Sequence, residues 1–465
     1  MIRPGTLARP NRRLLLVLGL IEPIILVGAI YLGALGRFGA LQAVGETDLQ
    51  PLWPKALVFA VLGMLALVVS GLYNPRLRDG YLGVALRVVL GMAGAGALMM
   101  LAFYLVPALY LGRGVFAISL AFATAGLLLE RTVWLRLQRQ GNGHRRVLVL
   151  GAGRRAAHLL RFRRSTDFIG VRFLGFVPSP GDALHVPEGR CLDLEESLPG
   201  FCRQHHVDQL VVAVDDRRSA LPMEALIECR VRGVEVVDLP TFIERELGIL
   251  KLDAMDPSWL VFSPGFNRRV VHLMLKRGFD LVAASTLLLF ASPVMLLAAA
   301  AIWLESGSPV LFRQTRVGQE GIPFELLKFR SMCLDAEADG VARWASRGDA
   351  RTTRVGRVLR RYRIDELPQV LNVLAGRMSF VGPRPERPEF VGDLIRNIPY
   401  YAERHRVKPG LTGWAQIRYP YGASERDAFE KLQYDLYYAK NHNLLTDIGI
   451  LLQTAEVVLW GKGVR

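Results

Sequence analysis

Apolar runs separated by short polar loops dominate the first 135 residues. Residues 14–35, 56–73, 82–105 and 115–135 are each long enough to cross about 30 Å of hydrocarbon at about 1.5 Å per residue, which predicts four membrane helices. From Arg145 the period changes. VLVLGAGRRAAHLL, residues 147–160, reads as a buried strand, a glycine turn and an amphipathic helix. FLGFV (173–177), QLVVAV (209–214) and VEVVDL (234–239), with helical stretches such as 219–232 between them, predict a Rossmann-like parallel α/β sheet. A fifth apolar run covers residues 281–306 and carries Ser292 and Pro293 at its middle. Proline removes a backbone donor and serine can satisfy a carbonyl so freed, which predicts a helix broken at this pair, entering one leaflet and returning to the same face, with an ordinary Pro-kinked span as the rival reading. Beyond it the chain is charged and rich in Gly/Pro turns. Residues 309–332 predict a β-hairpin turning at Gly318 to Gly321 and presenting Lys328 and Arg330 on one face. Residues 354–374 predict a basic amphipathic helix with Val355, Val358, Leu359 and Tyr362 as its stripe. A second helix follows, opened by Pro368, with Leu367, Val370, Leu371 and Leu374 as its apolar face.

The expected organisation is therefore a membrane protein in four parts: four transmembrane helices in 1–140, a Rossmann-like α/β domain in 145–265, a re-entrant membrane helix in 266–306 and a small α/β catalytic domain in 307–465. Arginines in the N-terminus (Arg3, Arg9, Arg12, Arg13), in the second loop (Arg76, Arg78) and after the fourth span (Arg131, Arg136, Arg139, Arg145, Arg146) contrast with Glu46 and Asp48 in the first loop. The positive-inside rule then puts both ends of the four-helix unit, and the domains after it, in the cytoplasm. Glu22 and Arg87 fall inside predicted spans, where pairing with a neighbouring helix is the favoured reading over a functional role.

Composition agrees with a membrane protein: 465 residues, 51% hydrophobic. A formal charge of +16 implies an acidic partner, and the apolar content favours anionic lipid or phosphorylated substrates over nucleic acid. Cys191, Cys202, Cys229 and Cys333 have no CxxC spacing, which points to reduced thiols rather than zinc.

Two stretches carry candidate chemistry. Gly151 and Gly153, with Ala156, fit a turn that lets a pyrophosphate approach backbone amides, although no ribose-binding acid follows about 20 residues on. A scaffold or regulatory role competes with nucleotide binding there. The second stretch is Asp365 and Glu366, preceded by Arg351, Arg354, Arg357, Arg360, Arg361 and Arg363. Ionised acids at a helix N-terminus among arginines suit a nucleophile or a Mg²⁺ ligand, while an isolated Asp-Glu pair would read as a cap. Downstream, Arg384 stands between Pro383 and Pro385, and VKPGLTGWAQIR (407–418) is a turn-rich loop.

KRGFD, the Ser-Pro apolar run, FRQTRVGQEGIPFELLKFRSM, RVGRVLRRYRIDELPQVLNVL, SFVGPRP, KPGLTGWAQ and YDLYYAKN together resemble the bacterial sugar transferases, the monotopic phosphoglycosyl transferases. The resemblance covers 270–465, and the four helices plus Rossmann-like domain resemble the long members. Departures are Ser331, where Thr is common, and RYPYGASERDAF after GWAQ; the whole is most similar to the exosortase-associated exopolysaccharide branch. The resemblance implies transfer of a sugar-1-phosphate from a nucleotide diphosphate sugar to undecaprenyl phosphate at the bacterial inner membrane, with Mg²⁺ as cofactor and a homodimer as a candidate assembly. It implies Asp365 as nucleophile through a covalent aspartyl-phosphosugar intermediate, Glu366 supporting that carboxylate and the metal, and Arg360, Lys328 and Arg384 as phosphate-binding cations. Two rival functions stand beside this one. A membrane-anchored nucleotide-sugar epimerase or dehydratase would need a base such as Tyr-x-x-x-Lys in the middle domain, and residues 147–265 contain no Tyr. A non-catalytic assembly scaffold would need no site at all.

Overall fold

The computed structural model describes residues 12–39, 51–73, 81–139, 145–162, 168, 170–180, 182–215, 221–266, 270–333, 351–419, 422 and 424–460. Arg3 and Arg9 of the basic N-terminus and the loops that carry Glu46, Asp48, Arg76 and Arg78 lie outside these residues. The chain forms two compact units, Met1–Val261 and Phe262–Arg465.

The first unit opens with α1 (Arg12–Phe38), α2 (Leu52–Val69), α3 (Tyr81–Leu105) and α4 (Arg113–Arg139), matching the four expected spans. Leu26, Ile30, Phe59, Leu67, Met92, Met99 and Leu127 interlock as their shared core, while Leu20, Ile24, Val61, Met100 and Leu129 face outward. This inside-out apolar surface is the one a helix bundle shows to lipid. Glu22 is buried and takes hydrogen bonds from Arg131 and Tyr73, and Arg87 donates to the Ser70 carbonyl at 2.6 Å. Both ionisable groups inside spans thus pair with neighbouring helices.

The remainder of the unit is a parallel sheet of β1 (Arg145–Leu150), β2 (Val171–Val177), β3 (Gln209–Val212) and β4 (Glu235–Asp238), in the order β2-β1-β3-β4. Chain order reverses between β1 and β3, so the crevice at their C-terminal ends is where a ligand would sit in such a sheet.

The second unit begins with α5 (Val270–Ser306). The expected interruption at Ser292-Pro293 is not there: one helix of 37 residues runs through Pro293. The chemistry anticipated for the pair is present all the same. Pro293 cannot bond the Leu289 carbonyl four residues back, and the Ser292 hydroxyl donates to that carbonyl at 2.9 Å. The orphaned acceptor is satisfied locally, and the helix has no need to open.

Both ends of α5 dock on the same small domain. That domain contains the hairpin β5 (Leu311–Val317) and β6 (Pro323–Phe329), α6 (Arg354–Arg361), α7 (Gln369–Leu374), the parallel pair β7 (Ser379–Val381) and β8 (Gly410–Thr412), α8 (Glu425–Asn441) and α9 (Leu444–Trp460). At its first half, Ala284 packs with Leu326, Val370, Val373 and Met378. Arg277 donates to the Val373 and Leu374 carbonyls at 2.7 and 2.8 Å, closing the C-terminus of α7. Asp280 accepts from the Ser379 hydroxyl and the Phe380 amide at 3.0 and 2.9 Å, and Lys276 pairs with Asp447 of α9 at 2.6 Å. At its second half, Ala298 and Ile302 pack with Phe329 and Leu359, and Glu305 accepts from the Arg354 amide at 2.8 Å, at the start of α6. The opposite face of α5 exposes Leu289, Phe290, Leu296, Leu297 and Leu304.

A straight helix of this length would span about 55 Å, yet the contacts of both its halves described above fall on one domain. A crossing helix would leave that domain attached at one end only. Single cysteines at Val270 and Arg313, in a background with the four native cysteines replaced by Ser, are therefore expected to react with a membrane-impermeant maleimide from the same side. Labelling from opposite sides would make α5 a true span.

Candidate active site

The chain leaves α6 through Arg363, which takes a left-handed conformation (φ 59°), and turns at once through the 3-10 segment Ile364–Glu366. Bulky residues adopt this backbone only where surroundings hold it, and such strain gathers at functional sites. Here it sets the two acids into different surroundings.

Glu366 takes three cations from three elements. Arg384 donates to its Oε1 at 3.0 Å, and Lys328 of β6 and Arg363 pair with the same oxygen at 3.5 and 3.6 Å. Burial works against its ionisation, but Arg384, Lys328 and Arg363 outweigh it and hold its pKa far below the ordinary carboxylate range. Asp365 is also buried, at 8% exposure, and none of the described residues hydrogen-bonds or ion-pairs with it. Burial, and then the charge of Glu366, push its pKa up, with Lys328, Arg360 and Arg363 opposing. Adjacent acids with pKa values driven apart are the mark of a site in which one holds charge and the other reacts.

Lys328, Arg384, Asp365 and Glu366 thus come together as expected. Arg360 is half-buried, bonds Thr352 at 3.2 Å and lends its charge to Asp365. Arg330 does not join them. It lies just past the end of β6, is buried, and its Nη2 donates to the Ser306 carbonyl and hydroxyl and the Gly307 carbonyl at 2.7–2.8 Å. The alternation of strand side chains put it beside Lys328, but the strand ends one residue earlier, and the C-terminal carbonyls of α5 claim its guanidinium. The stripe expected on α6 is also narrower than its pattern: Leu359 is buried, while Val358 and Tyr362 are exposed.

The glycine turn of the middle domain is filled from within. Asp215, just beyond β3, accepts from the amides of Arg154 and Arg155 at 2.9 and 2.8 Å. Asp182 accepts from the Ala152 and Asp215 amides at 3.1 and 3.2 Å. These are the amides a pyrophosphate would use. A Cβ on Gly153 would stand 2.2 Å from the Asp215 Oδ2, so this glycine makes room for the protein's own carboxylate. No signal in spacing marked Asp215 as its partner. Arg363 was visible among the clustered arginines, but its part in holding Glu366 depends on the left-handed turn.

The acids suit a hard cation. All three partners of Glu366 meet Oε1, leaving Oε2 and the Asp365 carboxylate as oxygen donors, the type Mg²⁺ takes. No group of three or more His, Cys, Asp or Glu gathers among the described residues, so water and substrate phosphate would have to complete the shell.

A buried acid beside a cation-held acid, on a domain docked to a long apolar helix, is an arrangement suited to phosphate chemistry beside a membrane. The bacterial sugar transferase family model matches residues 271–461. The chain is 42% identical over 243 residues to the UDP-N-acetylgalactosamine-undecaprenyl-phosphate N-acetylgalactosaminephosphotransferase of Aeromonas hydrophila, covering 52% of this chain and 56% of that protein. It is 35% identical over 331 residues to the UDP-glucose:undecaprenyl-phosphate glucose-1-phosphate transferase of Escherichia coli, covering 69% and 68%. It is 41% identical over 200 residues to the exopolysaccharide production protein PSS of Rhizobium leguminosarum, covering 42% of this chain and all of that protein. The chain belongs to the bacterial sugar transferase family.

The Asp215 contacts give a check on the middle domain. Asp215→Ala leaves two amides without their acceptor and is expected to lower stability by about 1 kcal/mol, the usual worth of such a cap. Chemical denaturation of the purified protein measures it, and an unchanged midpoint would show that water replaces the carboxylate at no cost.

Proposed function

We propose that this protein transfers a sugar-1-phosphate from a UDP-sugar to undecaprenyl phosphate, with its catalytic domain at the cytoplasmic face of the bacterial inner membrane. The observation that carries the reading is the contrast between Asp365, buried and unpaired among the described residues, and Glu366, held ionised by three cations. A carboxylate without a hydrogen-bond partner has no contact to give up before it attacks, so once ionised its electron pair is available. The names of the relatives from Aeromonas hydrophila and Escherichia coli supply the two substrates. Those names differ in the sugar, and a panel of UDP-sugars with purified protein decides it here.

The first displacement forms a bond from an Asp365 oxygen to the phosphorus next to the sugar. It breaks that phosphorus's bond to the bridging oxygen, and UMP leaves with the electron pair. In the second, an oxygen of undecaprenyl phosphate attacks the same phosphorus and Asp365 departs as carboxylate, leaving a diphosphate-linked sugar on the lipid. Arg384, Lys328 and Arg360 face the charge of the transferring phosphate. Mg²⁺ held by Asp365 and the Glu366 Oε2 would offset the charge of the pyrophosphate. The product would begin a lipid-linked glycan, in accord with the name of the exopolysaccharide production protein from Rhizobium leguminosarum.

The apolar face of α5 would lie in the cytoplasmic leaflet, which brings a lipid phosphate and a soluble nucleotide to one site. The basic loops predict the same side for the flanking segments.

Radiolabel should pass from the UDP-sugar into organic-extractable lipid, and Asp365→Asn should reduce it to below about one thousandth of wild type. Full transfer by the Asn variant would eliminate the covalent route. The pH profile supplies a second test. Asp365 must be ionised to attack, so activity falls as pH drops through its raised pKa. Arg360→Gln removes a charge that lowers this pKa, and the acid limb should move to higher pH. A limb that stays in place would remove Arg360 from the neighbourhood of the nucleophile.

A further inference from the structure

The segment that delivers Arg384 to Glu366 is held at four consecutive carbonyls. Gly410 N–H donates to Pro383 O at 2.9 Å, Arg404 Nη2 to Arg384 O at 2.9 Å, Arg316 Nη1 to Pro385 O at 3.3 Å and Val317 N–H to Glu386 O at 2.9 Å. Pro383 and Pro385 fix φ on either side of Arg384. Of these anchors, only the one on Arg384 itself is a fully buried ion pair. Arg404 and Asp435 of α8 are 5% and 3% exposed. Arg404 Nε and Nη2 reach Asp435 Oδ2 at 3.0 and 2.7 Å, and its Nη1 donates to the Tyr401 hydroxyl at 2.9 Å. The planar fork of Arg404 therefore meets an acid, a phenol and the Arg384 backbone at once.

Two charges taken wholly out of water are expensive, and an apolar pair of similar volume would often serve stability as well or better. What an apolar pair lacks is a donor for the Arg384 carbonyl. Arg404 is 5% exposed and its Nε, Nη1 and Nη2 are all engaged by Asp435, Tyr401 and the Arg384 carbonyl, so its effect on the reaction is expected to pass through the residues it holds.

We propose that Arg404, oriented by Asp435, is a positioning residue for phosphate recognition: it fixes the backbone of Arg384 so that the Arg384 guanidinium is held over the acids before substrate arrives. This rests on the reading of Arg384 as a contact of the transferring phosphate. A preplaced cation needs no reordering when the substrate binds, and lysine in place of Arg404 could answer Asp435 but could not fork to all three partners.

The test is a double-mutant cycle on the full-length protein in lipid nanodiscs, with KM and kcat measured for the UDP-sugar donor. One arm is Arg384→Gln, and the other is the pair Arg404→Met with Asp435→Leu, which removes both charges together and leaves neither buried alone. Both arms should weaken kcat/KM about tenfold or more, and combining them should add less than a further twofold. Losses that multiply, or wild-type kinetics in the Arg404/Asp435 arm while Arg384→Gln is impaired, would overturn the positioning role. Wild-type kinetics in Arg384→Gln would instead sink the phosphate-contact reading beneath it. If the Met/Leu pair does not fold, Arg404→Lys takes its place in the same cycle, with the same outcomes deciding.

Discussion

Three cations converge on a single oxygen of Glu366, and the character of the active site depends on that convergence. A buried carboxylate is costly unless paired. Once Arg384, Lys328 and Arg363 have paired it, little attraction is left to restrain its neighbour. Asp365 then feels burial and the negative charge beside it more than it feels the arginines. The two acids are adjacent in sequence and opposite in condition.

That arrangement needs three elements to keep their places: the hairpin strand that carries Lys328, the proline-flanked loop that carries Arg384, and the left-handed turn at Arg363. Helix α5 is the common support. Arg277 closes the helix that follows the acids, Asp280 holds the strand that leads into the loop of Arg384, and Glu305 meets the start of the basic helix. KRGFD is therefore a docking motif: Arg277 holds α7, Asp280 holds β7, and Lys276 joins Asp447 of α9 to the Val381 carbonyl of β7.

Much of this was legible in the sequence where the cause is local. Membrane spans follow from apolar runs, and the parallel sheet from short apolar strands spaced by helices. The acids among arginines stood out by composition. What depends on residues far apart in the chain was hidden. Alternation along β6 could not show that Arg330 falls past the end of the strand, within reach of the last carbonyls of α5. At Ser292-Pro293 the cause is local and the part of the serine was legible, but the pattern alone does not say whether a satisfied carbonyl keeps the helix whole or lets it break. The glycines at 151 and 153 do mark places of close approach, but Gly151 lies against the Ala213 and Val214 backbone and Gly153 against the side chain of Asp215, some sixty residues later. The pairing of Arg404 with Asp435 had no local signal either, because neither residue belongs to a recognisable pattern by itself.

Helix α5 shares its inner face between two separate apolar clusters of the catalytic domain, one built on Leu326, Val370 and Met378 and the other on Phe329 and Leu359. The anchor is thus part of the domain's own interior. Cutting it away to obtain a water-soluble enzyme would uncover both clusters at once and strip the partners from the strand and helices that frame the acids. In this architecture an assembled site comes together with an exposed apolar helix face, so the domain is tied to an apolar surface by the way it folds.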